Sequence, residues 1–205
     1  MAHKKGYGDY MFIIPLLIYA IVSSFSPGPN NIIAMTSGRD HGFSKTLPFI
    51  GGVALSCMII MILSSYFSLM LHQFIPTVRP ILNLLGCMYM LYLAVKVMLS
   101  HSKKNNALRT SPYSFRFGCV LQFINPKVII YGLTAISMFV IPLGHSHHHL
   151  ILFSLLLTLI GISANMTWAL CGSLFQNLLL RHERIFNMLM GVMLIFSAVS
   201  ILVSK

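Results

Sequence analysis

The residues best suited to chemistry in this chain are Ser26-Pro27-Gly28-Pro29-Asn30-Asn31, set inside an apolar run from about Met11 to Ser37. Pro27 and Pro29 have no N–H, so the carbonyls of Ser23 and Phe25 lose their helical donors. Ser26 and Gly28, each preceding a proline, are pushed away from the α region. A helix restarting at Pro29 presents the N–H groups of Asn30 and Asn31 together with the positive end of its dipole, which suits an anionic group. Asn125-Pro126-Lys127 repeats the pattern later in the chain, freeing the carbonyl of Gln122 and placing an ammonium beside the break.

Depth brings the two breaks together. Lys127 lies eleven residues past Arg116, about 16 Å along a helix, and Asn30 lies nine residues before Arg39, about 13 Å from the same side. A lysine at that depth costs at least ~2.5 kcal/mol on insertion scales and implies a function. It neutralises a bound carboxylate, pairs with helix carbonyls, or snorkels to the near face. N–H dipoles and a cation for a carboxylate, with free carbonyls of Ser23, Phe25 and Gln122 for an ammonium, suit a zwitterionic amino acid.

Other groups carry weaker signals. Ser163, Asn165, Thr167 and Trp168 fall in one apolar run, where Asn165 either lines a path or bonds a neighbouring helix. Gly51-Gly52 permits close helix packing. His145-Ser146-His147-His148-His149 reads as a solvated loop, or as a cluster for a divalent metal. The four cysteines, Cys57, Cys87, Cys119 and Cys171, stand singly as small packing residues. The three acids, Asp9, Asp40 and Glu183, lie at or beyond the ends of the apolar runs, so no carboxylate is placed to relay protons or hold a cation. No G-x-x-x-x-G-K-[ST] run points to ATP, no cofactor motif is present, and no nucleophile–base set points to catalysis.

The elements that must position these residues are membrane helices. The chain of 205 residues is 57% hydrophobic and 8% charged, against roughly 25% charged in soluble domains. The formal charge of +11 is spread over short loops without an aromatic-laced basic stripe, which excludes nucleic acid as the partner and leaves the lipid bilayer. Lys4 and Lys5 precede a run that lacks a convincing cleavage site and holds the proline break, so it reads as a first span.

Six apolar runs can be read, near 11–37, 47–71, 80–99, 116–141, 150–174 and 185–203, each suited to a core of ~30 Å. The predicted fold is all-α: a single polytopic membrane domain of six helices. The polar loop around 100–115 divides it into a first half at about 10–99 and a second at about 116–205. Asn83-Leu84-Leu85-Gly86 with Ala94-Val95 in the third run resembles Asn187-Met188-Leu189-Met190-Gly191 with Ala198-Val199 in the sixth. The first run of each half is the interrupted one. Three spans per half invert the second half, and matched interruptions in inverted repeats point to a transporter's binding site. Arg39, Lys45, Lys96, Lys103, Lys104, Arg109, Arg116, Arg181 and Arg184 share one side, against Lys4, Lys5, Arg79 and Lys205. That bias places the first group in the cytoplasm and both termini outside.

The runs Ser26-Pro27-Gly28-Pro29-Asn30-Asn31-Ile32, His41-Gly42-Phe43, Gln122-Phe123-Ile124-Asn125-Pro126-Lys127 and Asn165-Met166-Thr167-Trp168-Ala169-Leu170 resemble the LysE/RhtB family of bacterial amino-acid exporters. The likeness extends from about Tyr10 to Leu202. Within the family, Ser114 to Val140 is most similar to the branch that exports cysteine and O-acetylserine. The resemblance implies six spans, a bacterial inner-membrane location and secondary efflux of small amino acids driven by ion gradients or exchange. It leaves the substrate open, because family members with similar motifs differ there. Homo-oligomers also stay open. The candidate substrate-binding residues are Ser26, Gly28, Pro29, Asn30, Asn31, Gln122, Asn125, Pro126, Lys127 and Asn165. The histidine cluster is outside the family pattern and keeps a heavy-metal exporter as one alternative; a non-transporting membrane scaffold is the other.

Overall fold

The computed structural model describes residues 2–70, 75–99, 114–144 and 146–203. Every regular element among them is helical: α1 (Ala2–Phe25), α2 (Pro29–His41), α3 (Phe43–Met70), α4 (Ile75–Met98), α5 (Phe115–Ile124), α6 (Pro126–Ala135), a π-helical turn (Ile136–Val140), α7 (Ile141–Leu143), α8 (His147–Leu174), α9 (Gln176–Arg181) and α10 (Glu183–Val203). By length and hydropathy, Phe43–Met70, Pro126–Leu143 and His147–Leu174 can each cross a bilayer. The pair Phe12–Phe25 and Pro29–His41, bent by 49°, makes a fourth candidate. Large apolar side chains such as Ile18, Val22, Leu63, Leu152 and Phe196 are exposed on the outer faces, as lipid contact requires. The chain is a polytopic membrane protein whose described elements are all helices.

Both interruptions fall at their prolines. α1 ends at Phe25 and α2 begins at Pro29; α5 ends at Ile124 and α6 begins at Pro126. Proline at the first helical position is favoured there because its missing N–H costs nothing. The corner from α2 to α3 takes one residue, Gly42, at φ 86°, which glycine adopts without Cβ strain. Its N–H donates to Gly38 O at 2.9 Å, and Ser37 Oγ and Thr46 Oγ1 meet 2.8 Å apart across the corner.

Two helix pairs touch backbone to backbone through glycine. A Cβ on Gly38 would lie 2.1 Å from Ala169 O, and one on Gly172 2.0 Å from Met35 O, so α2 and α8 interlock. Gly52 and Gly118 do the same for α3 and α5, at 2.0 Å from Phe115 O and 2.3 Å from Phe49 O. Such small-residue contacts replace the hydrophobic drive that lipid removes. They press one half of each broken helix against a long, continuous helix. The core between them holds Leu16, Ala20, Met61, Ala135, Ile136 and Leu157, all fully buried.

The structure departs from the sequence reading in several places. Of the expected loop at His145–His149, His145 lies outside the described residues and the remainder opens a helix: Ser146 caps α8, its Oγ accepting from His149 N, and α8 starts at His147. His147 Nδ1 lies 3.2 Å from the Tyr66 hydroxyl, and His149 packs on Phe153. Arg39, read as a cytoplasmic loop charge, is 5% exposed. Its Nε donates to Asp40 Oδ1 at 2.7 Å, Nη1 reaches Asn187 Oδ1 at 3.4 Å, and its guanidinium lies 5.1 Å from the Phe186 ring centre. These contacts satisfy a charge that water would otherwise solvate. Of the expected polar loop around 100–115, residues 100–113 lie outside the described residues; Ser114 caps α5, its Oγ accepting from Phe117 N at 3.2 Å.

Candidate functional site

The two breaks meet. Lys127, the second residue of α6, extends its ammonium into the gap between α1 and α2. There Nζ donates to Ser26 O at 2.9 Å, Ser26 Oγ at 2.9 Å and Pro27 O at 3.2 Å. An ammonium has three N–H groups, and all three are used. The lysine therefore does not snorkel. A direct bond to a cargo carboxylate has no free N–H in this conformation. Gly28 is extended, at φ −170°, a conformation open to any residue. Glycine stands there because a Cβ would lie 2.9 Å from Lys127 Nζ and 3.0 Å from its Cδ.

The carbonyls freed by the prolines are also taken, contrary to the expectation that they await an ammonium. Ser23 O accepts from Ser26 Oγ at 2.9 Å, and Phe25 O from Trp168 Nε1 at 3.2 Å. Gln122 O accepts from Asn125 N at 3.2 Å. Asn31 Nδ2 folds back onto Ser24 O at 2.7 Å and Ser26 O at 2.9 Å, and Ser197 Oγ from α10 donates to Pro27 O at 2.6 Å. Buried backbone groups must find partners, and here the side chains of Ser26, Asn31, Trp168 and Ser197 and the N–H of Asn125 supply them.

The helix starts differ. α6 is capped by Asn125, whose Oδ1 accepts from Lys127 N at 3.1 Å. α2 has Gly28 as its N-cap and no side-chain cap. The first N–H groups of α2, on Asn30 and Asn31, have no intrahelical acceptor, so α2 is the start that remains open to an anion.

Around these ends lies a cavity of about 50 Å³. Eight of the ten expected residues line it: Gly28, Pro29, Asn30, Asn31, Gln122, Asn125, Lys127 and Asn165. Ser26 joins through Lys127, and Pro126 opens α6 without lining the cavity. Asn30 Nδ2 donates to Gln122 Oε1, bridging the two broken helices, and Asn165 Nδ2 donates to Gly161 O at 2.9 Å. Thr167 and Ser163 are exposed and bond their own helix. Sequence reasoning missed Cys57 and Tyr131. Both line the cavity, and the signal for Tyr131 was its position four residues after Lys127, on the same helix face.

Among the described residues no three histidine, cysteine or acidic side chains come together as a metal site, and none of the acidic residues lines the cavity.

The model of the LysE type translocators matches residues 21–205. The chain belongs to the LysE family. It is thus a transporter rather than an enzyme. Cysteine/O-acetylserine efflux proteins of Escherichia coli O157:H7 and of strain O6:K15:H31 are each 37% identical to this LysE-family chain over 183 residues, which is 89% of the chain and 93% of the relative. The protein of the same name from strain K12 is 36% identical over the same length. No solved structure matches.

Proposed function

We propose that this chain is a secondary transporter that exports small amino acids, such as cysteine or O-acetylserine, across the bacterial inner membrane. One observation carries the reading: two proline-broken helices from different parts of the chain converge on one cavity that holds amide and ammonium groups and, among the described residues, no acidic side chain. Broken backbone at membrane depth persists only against protein or a wet cavity, and transporters place their sites at such breaks. The names of the relatives favour cysteine or O-acetylserine as cargo.

In this reading six spans form two inverted repeats, at about 10–99 and 116–205, joined by a cytoplasmic loop, with both termini periplasmic. α1 with α2 corresponds to α5 with α6. The cargo carboxylate sits at the open N-terminus of α2. Lys127 ties the two breaks and holds the turn from Ser26 to Gly28 in place for it. A cavity of about 50 Å³ exceeds the ~10–15 Å³ needed by one water but falls far short of the ~300 Å³ of small ligand pockets. Loading therefore requires the helices around it to part, and a small cargo asks for the least movement.

The test is efflux of labelled amino acids from loaded proteoliposomes containing the purified chain. Exit of cysteine or O-acetylserine well above protein-free vesicles supports the proposal. Retention of every amino acid in the panel overturns it.

A further inference from the structure

Two residues that line the cavity carry amide oxygens without a partner. Asn30 Oδ1 and Asn165 Oδ1 are buried and accept no hydrogen bond among the described residues, and both side chains line the cavity. Each residue is 6% exposed. One N–H of each amide is engaged, Asn30 Nδ2 on Gln122 Oε1 and Asn165 Nδ2 on Gly161 O. The second bond fixes the orientation of Asn165, because a backbone carbonyl only accepts and turning the amide would set oxygen against oxygen. Buried acceptors left unpaired are rare and costly. Two on one cavity call for a ligand that donates.

Resting on the export reading, we infer that Asn30 Oδ1 and Asn165 Oδ1 form the subsite for the primary ammonium group of the cargo. A carboxylate only accepts, whereas an ammonium only donates and has three N–H groups. The chain's acids lie elsewhere in the sequence, at Asp9, Asp40 and Glu183, so neutral oxygens take the part a carboxylate would play. The arrangement also fits the neighbouring anion position. Asn30 contributes its backbone N–H to the open start of α2 and its side-chain oxygen to the ammonium, so one residue addresses both poles of an α-amino acid. Lys127 has its three N–H groups held by Ser26 and Pro27 and donates to neither oxygen. Selectivity follows: cargo must carry a free primary ammonium, and N-acylated or deaminated analogues are refused.

The experiment measures counterflow of labelled cysteine in proteoliposomes, with unlabelled cysteine, N-acetylcysteine and 3-mercaptopropionate as competitors. The parent should be inhibited by cysteine at concentrations at least about ten-fold lower than by the other two. In Asn165→Leu the apparent affinity for cysteine should fall about ten-fold or more, the loss of one hydrogen bond to a charged group. Its response to 3-mercaptopropionate should not change, so discrimination disappears. Asn165→Ser, whose hydroxyl can still donate to Gly161 O, serves as the milder variant and should lose discrimination in the same direction. Parent-like discrimination in both variants overturns the subsite while leaving export intact. Equal loss toward all three competitors also overturns it, since that marks a general lesion of the path. A parent that moves no amino acid overturns the export reading, and the subsite with it.

Discussion

Lys127→Met removes the ammonium and keeps the length of the side chain. Three charge-assisted hydrogen bonds go with it, to Ser26 O, Ser26 Oγ and Pro27 O, each worth about 1.5–3 kcal/mol. Their acceptors are not abandoned. Ser26 O keeps Asn31 Nδ2, Pro27 O keeps Ser197 Oγ, and Ser26 Oγ still donates to Ser23 O. The full penalty for orphaned groups is therefore avoided, and methionine escapes the ~2.5 kcal/mol or more that a lysine costs at this depth. The lost bonds outweigh that relief, so stability should fall by about 2 kcal/mol or more, and transport is compared in the protein that inserts. Transport should not be spared, because nothing then holds the turn from Ser26 to Gly28 against α6. A misplacement worth about 1.4–2.8 kcal/mol in cargo binding lowers affinity about ten- to hundred-fold. The assay is counterflow of labelled cysteine in proteoliposomes at matched protein content, beside the thermal midpoint in detergent. Arg116→Gln, exposed at the start of α5, is the control and should stay near the parent. Parent-like transport by Lys127→Met, or failure of the control alone, refutes the reasoning.

Three further predictions concern packing, the second break and topology. Gly52→Ala should cost the ~1–3 kcal/mol of stability typical of overpacking and so lower the thermal midpoint, because its Cβ would lie 2.0 Å from Phe115 O, whereas Gly51→Ala meets only the Phe115 ring at 3.6 Å and should be nearly neutral; equal midpoints for the two remove the backbone contact between α3 and α5. Pro126→Ala restores an N–H at the break and should weaken export at least several-fold while expression is kept; unchanged counterflow would reduce the break to a packing feature. With the native cysteines removed, Ser146→Cys should react with an impermeant thiol reagent in intact spheroplasts and Asn105→Cys should not; the reverse pattern overturns the proposed orientation.

What was legible in the sequence was what acts locally. Pro29 and Pro126 start helices whatever surrounds them, so both breaks were readable to the residue, as was the apolar character of α3 and α8. Partners about a hundred residues apart were not readable. Lys127 and Ser26, or Asn30 and Gln122, meet only because α6 lies against the break in the first span, and no local pattern encodes that. The same gap explains the carbonyl of Phe25, which Trp168 of α8 occupies, whereas those of Ser23 and Gln122 find local partners in Ser26 Oγ and Asn125 N. Arg39 looked like an ordinary orientation charge because its partners Phe186 and Asn187 lie near the other end of the chain. Gly51 and Gly52 were readable as a packing pair, but which of them touches backbone depends on the register with α5.

The claim that cargo binds where the two breaks meet is tested most directly at Cys57, which lines the cavity. In a transport-competent variant with Cys87, Cys119 and Cys171 replaced by serine, the rate at which a small permeant maleimide modifies Cys57 is measured with and without O-acetylserine. The account predicts that O-acetylserine slows modification several-fold, at the concentrations that saturate counterflow, and that modification stops transport. Modification of Cys57 at the same rate with and without cargo, in vesicles that continue to transport, would contradict it.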